Sequence, residues 1–262
     1  MAEPDPGLRE LPLIVAADGL TIRGTSLVRR DLARAPALVI LHGIPRAKPV
    51  PGDESYRQIA ERFARLGFLS AFFNFRGAGL SEGDLSLAGW TRDLEAVLAS
   101  LRALPECDQR VVLLGFSAGA SVAIYVAAHD PGVAAVVSVS SPADYSFLEK
   151  AMPLPGWVAL FRELGLIRSP GFPPSLAAWQ AEFVALSPLP WVRLISPRPI
   201  LFIHGEEDEV VPADHARALY NQAGEPRELI LVPAGKHRLR VDPRALELAE
   251  EWLKKWVNSS SK

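Results

Sequence analysis

Short apolar runs alternate with stretches of helical period along most of this chain. Leu11 to Val15 and Leu20 to Val28 flank Asp18-Gly19, a pair suited to a two-residue turn, so these runs predict an antiparallel hairpin. Ala37 to Leu41, Phe68 to Phe73, Val111 to Phe116, Val133 to Val139, Ile200 to His204 and Glu228 to Val232 read as further strands. Between them, Tyr56 to Leu66 carries Ile59, Ala60, Phe63 and Leu66 at helical spacing and stops at Gly67. Trp90 to Leu104 sets Leu94, Val97, Leu98 and Leu101 on one face, and Ala118 to Ala128 is a helix so poor in charge that deep packing is expected. A helix runs from about Ala213 to Ala223. Asp242 as N-cap and Pro243 at the first helical position open the last one, with Leu246, Ala249, Leu253 and Trp256 as its inner stripe. Apolar strands that alternate with helices predict an α/β fold: a mostly parallel sheet of about eight strands, flanked by helices, with the first two strands antiparallel.

The stretch from Pro142 to Pro199 breaks this rhythm, with ten prolines and no strand pattern. It contains two short amphipathic pieces, one with Trp157, Leu160, Phe161 and Leu164, the other with Leu176, Trp179, Phe183 and Leu186. An insert of this size between core strands predicts a helical lid over residues 144–192, within a single domain spanning 1–262.

Composition narrows the partners. Apolar residues make up 49% and charged residues 22% of the 262, which excludes disorder as a global description. A net charge of −2 excludes binding of nucleic acid through bulk charge. No apolar run nears the ~20 residues of a membrane span. Met1 to Gly7 is acidic and proline-rich, unlike a signal peptide, so a cytoplasmic protein is expected. The single cysteine, Cys107, has no disulfide or metal-site partner and reads as inert, and neither a metal nor an organic cofactor is implied.

The segment Gly115-Phe116-Ser117-Ala118-Gly119 follows a strand and precedes a helix, the setting in which G-x-S-x-G lifts a nucleophilic serine above a sheet. A serine hydroxyl needs a base held by an acid. Among histidines 42, 129, 204, 215 and 237, His215 sits inside a helix pattern and should be solvated, His129 ends a helix, and His204 shapes a strand end. His237, in the flexible loop after the last strand, remains as the base. Four carboxylates follow the penultimate strand at Glu206 to Glu209; Asp208 is the choice for the acid, with Asp144 in reserve. The oxyanion donors expected are the backbone N–H groups of Ala118 and of Ile44, since Pro45 has none. His42 braces that loop. Arg76, in a glycine-rich turn, reads as a brace between loops and not as a phosphate site, and Arg46 and Lys48 read as solvated.

These residues carry a resemblance. From about Leu11 to Val257 the chain resembles the α/β-hydrolase superfamily, through His42-Gly43, the run Asn74 to Gly83, Gly115 to Gly119, His204 to Asp208 with Val211-Pro212, and His237. It looks most like carboxylesterases, feruloyl esterases and monoacylglycerol-lipase-like serine hydrolases. The resemblance implies Ser117 as nucleophile, Asp208 as acid, His237 as base, and Ile44 with Ala118 as oxyanion donors. The departure from the pattern is a proline-rich loop from Pro45 to Pro51 beside the oxyanion position. The expected reaction is hydrolysis of a small-molecule carboxylic ester through an acyl-enzyme, with Trp157, Phe161, Trp179 and Phe183 binding an apolar or aromatic substrate part. A homodimer is compatible with this reading. The rivals are a peptidase, thioesterase, acyltransferase or C–C hydrolase on the same site, and a ligand-binding protein without turnover.

Overall fold

The hairpin closes first. In the computed structural model, which describes residues 5–47 and 55–259, β1 (Leu8–Ala17) pairs antiparallel with β2 (Leu20–Arg29) along their whole length. Asp18 and Gly19 take φ of 52° and 77°, both left-handed, which is the two-residue turn whose twist matches the strands it joins. The remaining strands are β3 (Ala35–Leu41), β4 (Leu69–Phe73), β5 (Cys107–Phe116), β6 (Val133–Val139), β7 (Ile200–Gly205) and β8 (Arg227–Val232). All eight form one sheet in the order β1-β2-β4-β3-β5-β6-β7-β8. It is antiparallel as far as β4 and parallel from there to β8.

Burial explains the strand composition. Every residue of β3 and of β7 is buried, because helices cover both faces there, whereas β1 at the edge alternates between buried and exposed. On one face Leu38, Ile40, Val112, Leu114, Val137 and Ile203 pack with α1 (Ser55–Arg65) and α8 (Pro243–Ser259). On the other, Val39, Leu41, Leu113, Val136 and Phe202 pack with α2 (Leu87–Ala103) and α3 (Ala118–His129). The buried stripe of α8 is Ala245, Ala249, Trp252 and Leu253, while Leu246 and Trp256 sit at its margin. Trp252 joins the inside because its Nε1–H reaches the Glu228 carboxylate on β8, at 2.9 Å. Among the described residues, no helix is long and apolar enough to cross a membrane.

Arg76 ties three parts of this frame together. Its guanidinium donates to the fully buried Asp93 of α2 at 2.8 Å and pairs with Asp18 of the hairpin turn at 2.9 Å, and its carbonyl accepts the Trp90 indole N–H. Breaking a buried pair from one side leaves the other charge uncompensated. Arg76→Leu should therefore lower stability by about 3–5 kcal/mol. Urea unfolding reads this directly, and an unshifted midpoint would show the pair to be idle.

Between β6 and β7 the described chain holds α4 (Ser146–Ala151), α5 (Leu154–Glu163), α6 (Leu176–Ala185) and a 3₁₀ turn at Val192–Ile195. The two amphipathic pieces read from the sequence are α5 and α6; α4 is too short to carry a periodic pattern. The segment is tied down at several points. Leu189 N–H donates to the Ala143 carbonyl, closing its root. The Glu182 carboxylate accepts from Ser86 Oγ–H and Ala88 N–H at the start of α2, and the Trp179 indole donates to the Leu85 carbonyl at 2.9 Å. Arg168 donates to the carbonyls of Gly77, Gly79 and Ser81. The last helix between β7 and β8 is α7 (Asp214–Gln222).

Candidate active site

Ser117 stands at the junction of β5 and α3 with φ 53° and ψ −125°, a backbone conformation that L-residues rarely hold. The two glycines of the motif make room for it. A Cβ on Gly119 would lie 2.4 Å from the His42 carbonyl oxygen, and one on Gly115 would lie 2.5 Å from Ala120 Cα. Neither position tolerates a side chain. Ala118 opens α3, so its N–H has no carbonyl within the helix to bond. The loop after β3 presses against the same turn, where a Cβ on Gly43 would be 2.8 Å from Ser117 Cβ. Ile44 follows Gly43 there, and among the described residues no backbone group accepts from its N–H. Arg46 is exposed, whereas Lys48 and Pro49 to Pro51 lie outside the described residues.

Of the five histidines, His237 alone reaches the serine. Its Nε2 lies 3.1 Å from Ser117 Oγ, and its Nδ1 lies 2.8 Å from Oδ2 and 3.0 Å from Oδ1 of Asp208. A carboxylate only accepts, so Nδ1 carries the proton and Nε2 keeps a lone pair toward the hydroxyl. Asp208 follows β7 and its side chain has no exposure. Burial pushes its carboxyl up, but hydrogen bonds from His204, His237 and the Val211 N–H outweigh that and hold it well below the usual carboxylate range. The turns after β7 and β8 are joined by Glu207 N–H on the Gly235 carbonyl, which holds Asp208 and His237 together. Asp144 accepts the Ser146 N–H at 2.8 Å.

The other histidines have other work. His129 bonds the Tyr125 carbonyl at the end of α3. His215 differs from the solvated residue expected: it is half-buried, and its Nδ1 accepts the Ala143 N–H at 3.0 Å, because α7 packs against the root of the segment between β6 and β7. His42 is buried beneath the serine turn. Its Nδ1–H donates to the Gly43 carbonyl at 2.8 Å and its Nε2 accepts the Phe75 N–H at 3.0 Å, which locks one tautomer and braces the loop. Burial holds its pKa down to about 4, with the Gly43 carbonyl opposing weakly.

His42 therefore makes the fold acid-sensitive. Between pH ~6.5 and 4 the unfolded chain binds a proton that the folded chain refuses, so stability falls as pH falls across that window, by about 3 kcal/mol in all. Asp208 is also held low, by hydrogen bonds to its charged form and not by burial, so it adds in the same sense, but its contribution is lost only as pH drops below the ordinary carboxylate value of ~3.9. His215, also held down by burial, adds in the sense of His42. Urea unfolding at pH 7, 5.5 and 4.5 should show the loss, and His42→Gln should flatten it while lowering stability at pH 7. An identical slope in the variant would rule His42 out as its source.

The four aromatics expected to bind substrate line one cavity of about 420 Å³, with Tyr145. Their rings form a continuous wall: Trp157 to Phe161 at 5.6 Å, Phe161 to Trp179 at 6.0 Å, Trp179 to Phe183 at 5.1 Å and Phe183 to Tyr145 at 5.4 Å. None of Ser117, Asp208 or His237 is part of this lining. Trp179, Phe161 and Phe183 are also nearly fully buried in the main core, so they hold the segment down as well as shape the cavity. Tyr145 escaped the sequence reading because it lies in a loop, where no period marks a buried position.

This geometry has relatives. The family model of the X-Pro dipeptidyl-peptidases (S15 family) matches residues 25–182, from β2 through most of α6 and including Ser117. The chain belongs to this family. An uncharacterized protein YfhR of Escherichia coli (strain K12) is 29% identical over 238 residues, covering 89% of this chain and 75% of its own length. The α/β hydrolase GrgF from a Penicillium species superposes with a TM-score of 0.73 at 22% identity, covering 94% of this chain and 96% of its own. Est1E from Butyrivibrio proteoclasticus, solved with ferulic acid bound, superposes with a TM-score of 0.68 at 22% identity, covering 94% and 98%. The two structures share the fold of this chain. The S15 match and that shared fold make the chain an α/β-hydrolase-fold member of the serine hydrolases.

Proposed function

We propose that the chain hydrolyses carboxylic esters with an apolar or aromatic part, through an acyl-enzyme on Ser117. The observation that carries this is the unbroken hydrogen-bond chain from Ser117 Oγ through His237 to Asp208, at 3.1 Å and 2.8 Å. His237 Nε2 takes the hydroxyl proton as Oγ attacks the ester carbonyl. The negative charge on the carbonyl oxygen is met by the N–H groups of Ile44 and Ala118, and Asp208 stabilises the imidazolium. The proton then passes to the leaving alcohol as the C–O bond breaks. Water, activated by the same histidine, frees Ser117 by the reverse route. Residues 144–192 serve as a lid on the single domain, and their aromatic wall favours the apolar part of the substrate. The ferulic acid bound by Est1E fits the same preference.

A second reading comes from the family itself, whose name is that of dipeptidyl-peptidases acting after proline. Active-site titration with a fluorophosphonate, beside a panel of p-nitrophenyl esters, thioesters and Xaa-Pro amides, separates the two. Esters from butyrate to decanoate should be turned over well above the amides; dominance of the Xaa-Pro amide would replace the esterase reading with the peptidase one. Within the series, Phe183→Ala should cut the preference for decanoate over acetate by about tenfold, since apolar pocket contacts contribute ~1–3 kcal/mol each. Parallel profiles for wild type and variant would remove Phe183 from the substrate pocket.

A further inference from the structure

His204 is buried to 1% exposure at the end of β7, four residues before Asp208. Its Nε2 lies 2.8 Å from the Val211 carbonyl oxygen and 3.3 Å from Asp208 Oδ2. A carbonyl cannot donate, so the proton sits on Nε2 and is shared between the two oxygens. The carboxylate is thereby held from every side. Oδ1 accepts the N–H groups of Val210 at 2.9 Å and Val211 at 2.8 Å. Oδ2, the oxygen nearer to His237, has His204 as its other donor among the described residues. The same Val211 that donates to Oδ1 accepts from His204, so strand end, acid and far side of the loop close into one ring of hydrogen bonds.

We propose that His204 is a positioning residue for the reaction: it holds Asp208 Oδ2 toward His237 Nδ1 and limits how basic that oxygen becomes. The inference rests on the triad reading of Ser117, His237 and Asp208. Backbone donors alone fix only Oδ1 and leave the carboxyl free to swing about it. A donor on Oδ2 removes that freedom, and it does so without touching substrate. Its effect belongs in kcat and not in KM.

The test compares two amides of different reach. In His204→Gln the side-chain amide can place an N–H near the position of Nε2; in His204→Asn it falls short. His204→Asn should lower kcat by ~10–100-fold with KM within about twofold, below the ~10⁴ of losing the carboxylate itself. His204→Gln should stay within about fivefold of wild type. In an Asp208→Asn background, His204→Asn should cost nothing further, because its route runs through the carboxylate. Equal losses in Gln and Asn variants of equal melting temperature, a change confined to KM, or an undiminished loss in the Asp208→Asn background would each overturn the inference. Should the variants not fold, isotope-labelled histidine spectra of the wild-type protein decide: a slowly exchanging His204 Nε2–H supports it, and a proton on Nδ1 alone overturns it. Fluorophosphonate labelling of the wild-type protein keeps the two readings apart. A labelled enzyme that loses activity in Asp208→Asn but not in His204→Asn sinks the role of His204 and leaves the triad standing.

Discussion

Ser117→Ala should lower ester turnover by ~10³-fold or more while the protein stays folded. In the proposed reaction the hydroxyl is the atom that bonds the acyl group, and no other hydroxyl lies within hydrogen-bond reach of His237 among the described residues. The fold should scarcely register the change. Alanine suffers the same positive φ as serine, and the Ser117 N–H bond to the Val139 carbonyl at 2.8 Å survives. Stability should therefore move by less than about 1 kcal/mol. Purified variant with an unchanged melting curve and near-normal turnover would move the nucleophile elsewhere.

Asp208→Asn should lower kcat by about 10³–10⁴-fold, and the hydrogen bonds around the carboxylate say why the loss is so large. Val210 and Val211 both donate to Oδ1, so an asparagine must place its carbonyl oxygen there. Its NH₂ then falls at the Oδ2 position, 2.8 Å from His237 Nδ1. An N–H donor at that point forces the proton of His237 onto Nε2, where it faces Ser117 and cannot accept the hydroxyl proton. It also meets the His204 N–H, donor against donor. Asp144→Asn is the control. Its carbonyl can still accept the Ser146 N–H, so activity should stay within about threefold of wild type. Equal losses in the two variants, in protein of equal stability, would count against Asp208 as the acid.

Much of the frame was legible before any coordinate. The Asp18-Gly19 turn, the all-apolar β3, the apolar run Val111 to Phe116 of β5, and the glycines at 115 and 119 are local requirements, each met within a few residues. The order serine, acid, histidine is what the resemblance to α/β-hydrolases implies, and Ser117, Asp208 and His237 each stand after a strand in that order. Other features were out of reach. Asp208 is the expected acid among the carboxylates at Glu206 to Glu209, but its contact with His237, 29 residues on, forms only when the turns after β7 and β8 are stitched together, and no local pattern shows that stitch. His215 read as solvated because its own helix says nothing about the Ala143 N–H that packs onto it.

What the sequence determined by itself, then, is the set of elements and the strained turn that presents Ser117. Period, turn conformation and the absence of a side chain are properties of neighbours along the chain. What only the tertiary structure decided is which groups share a proton: His237 with Ser117 across 120 residues, Asp208 with His237 and His204, and His42 driven neutral by burial. The same holds for the aromatics that line the cavity, since Trp179 is committed by a carbonyl at Leu85 in another part of the chain. Hydrogen bonds and desolvation act over about 3 Å in space, and a one-dimensional pattern carries no record of which distant residues come that close.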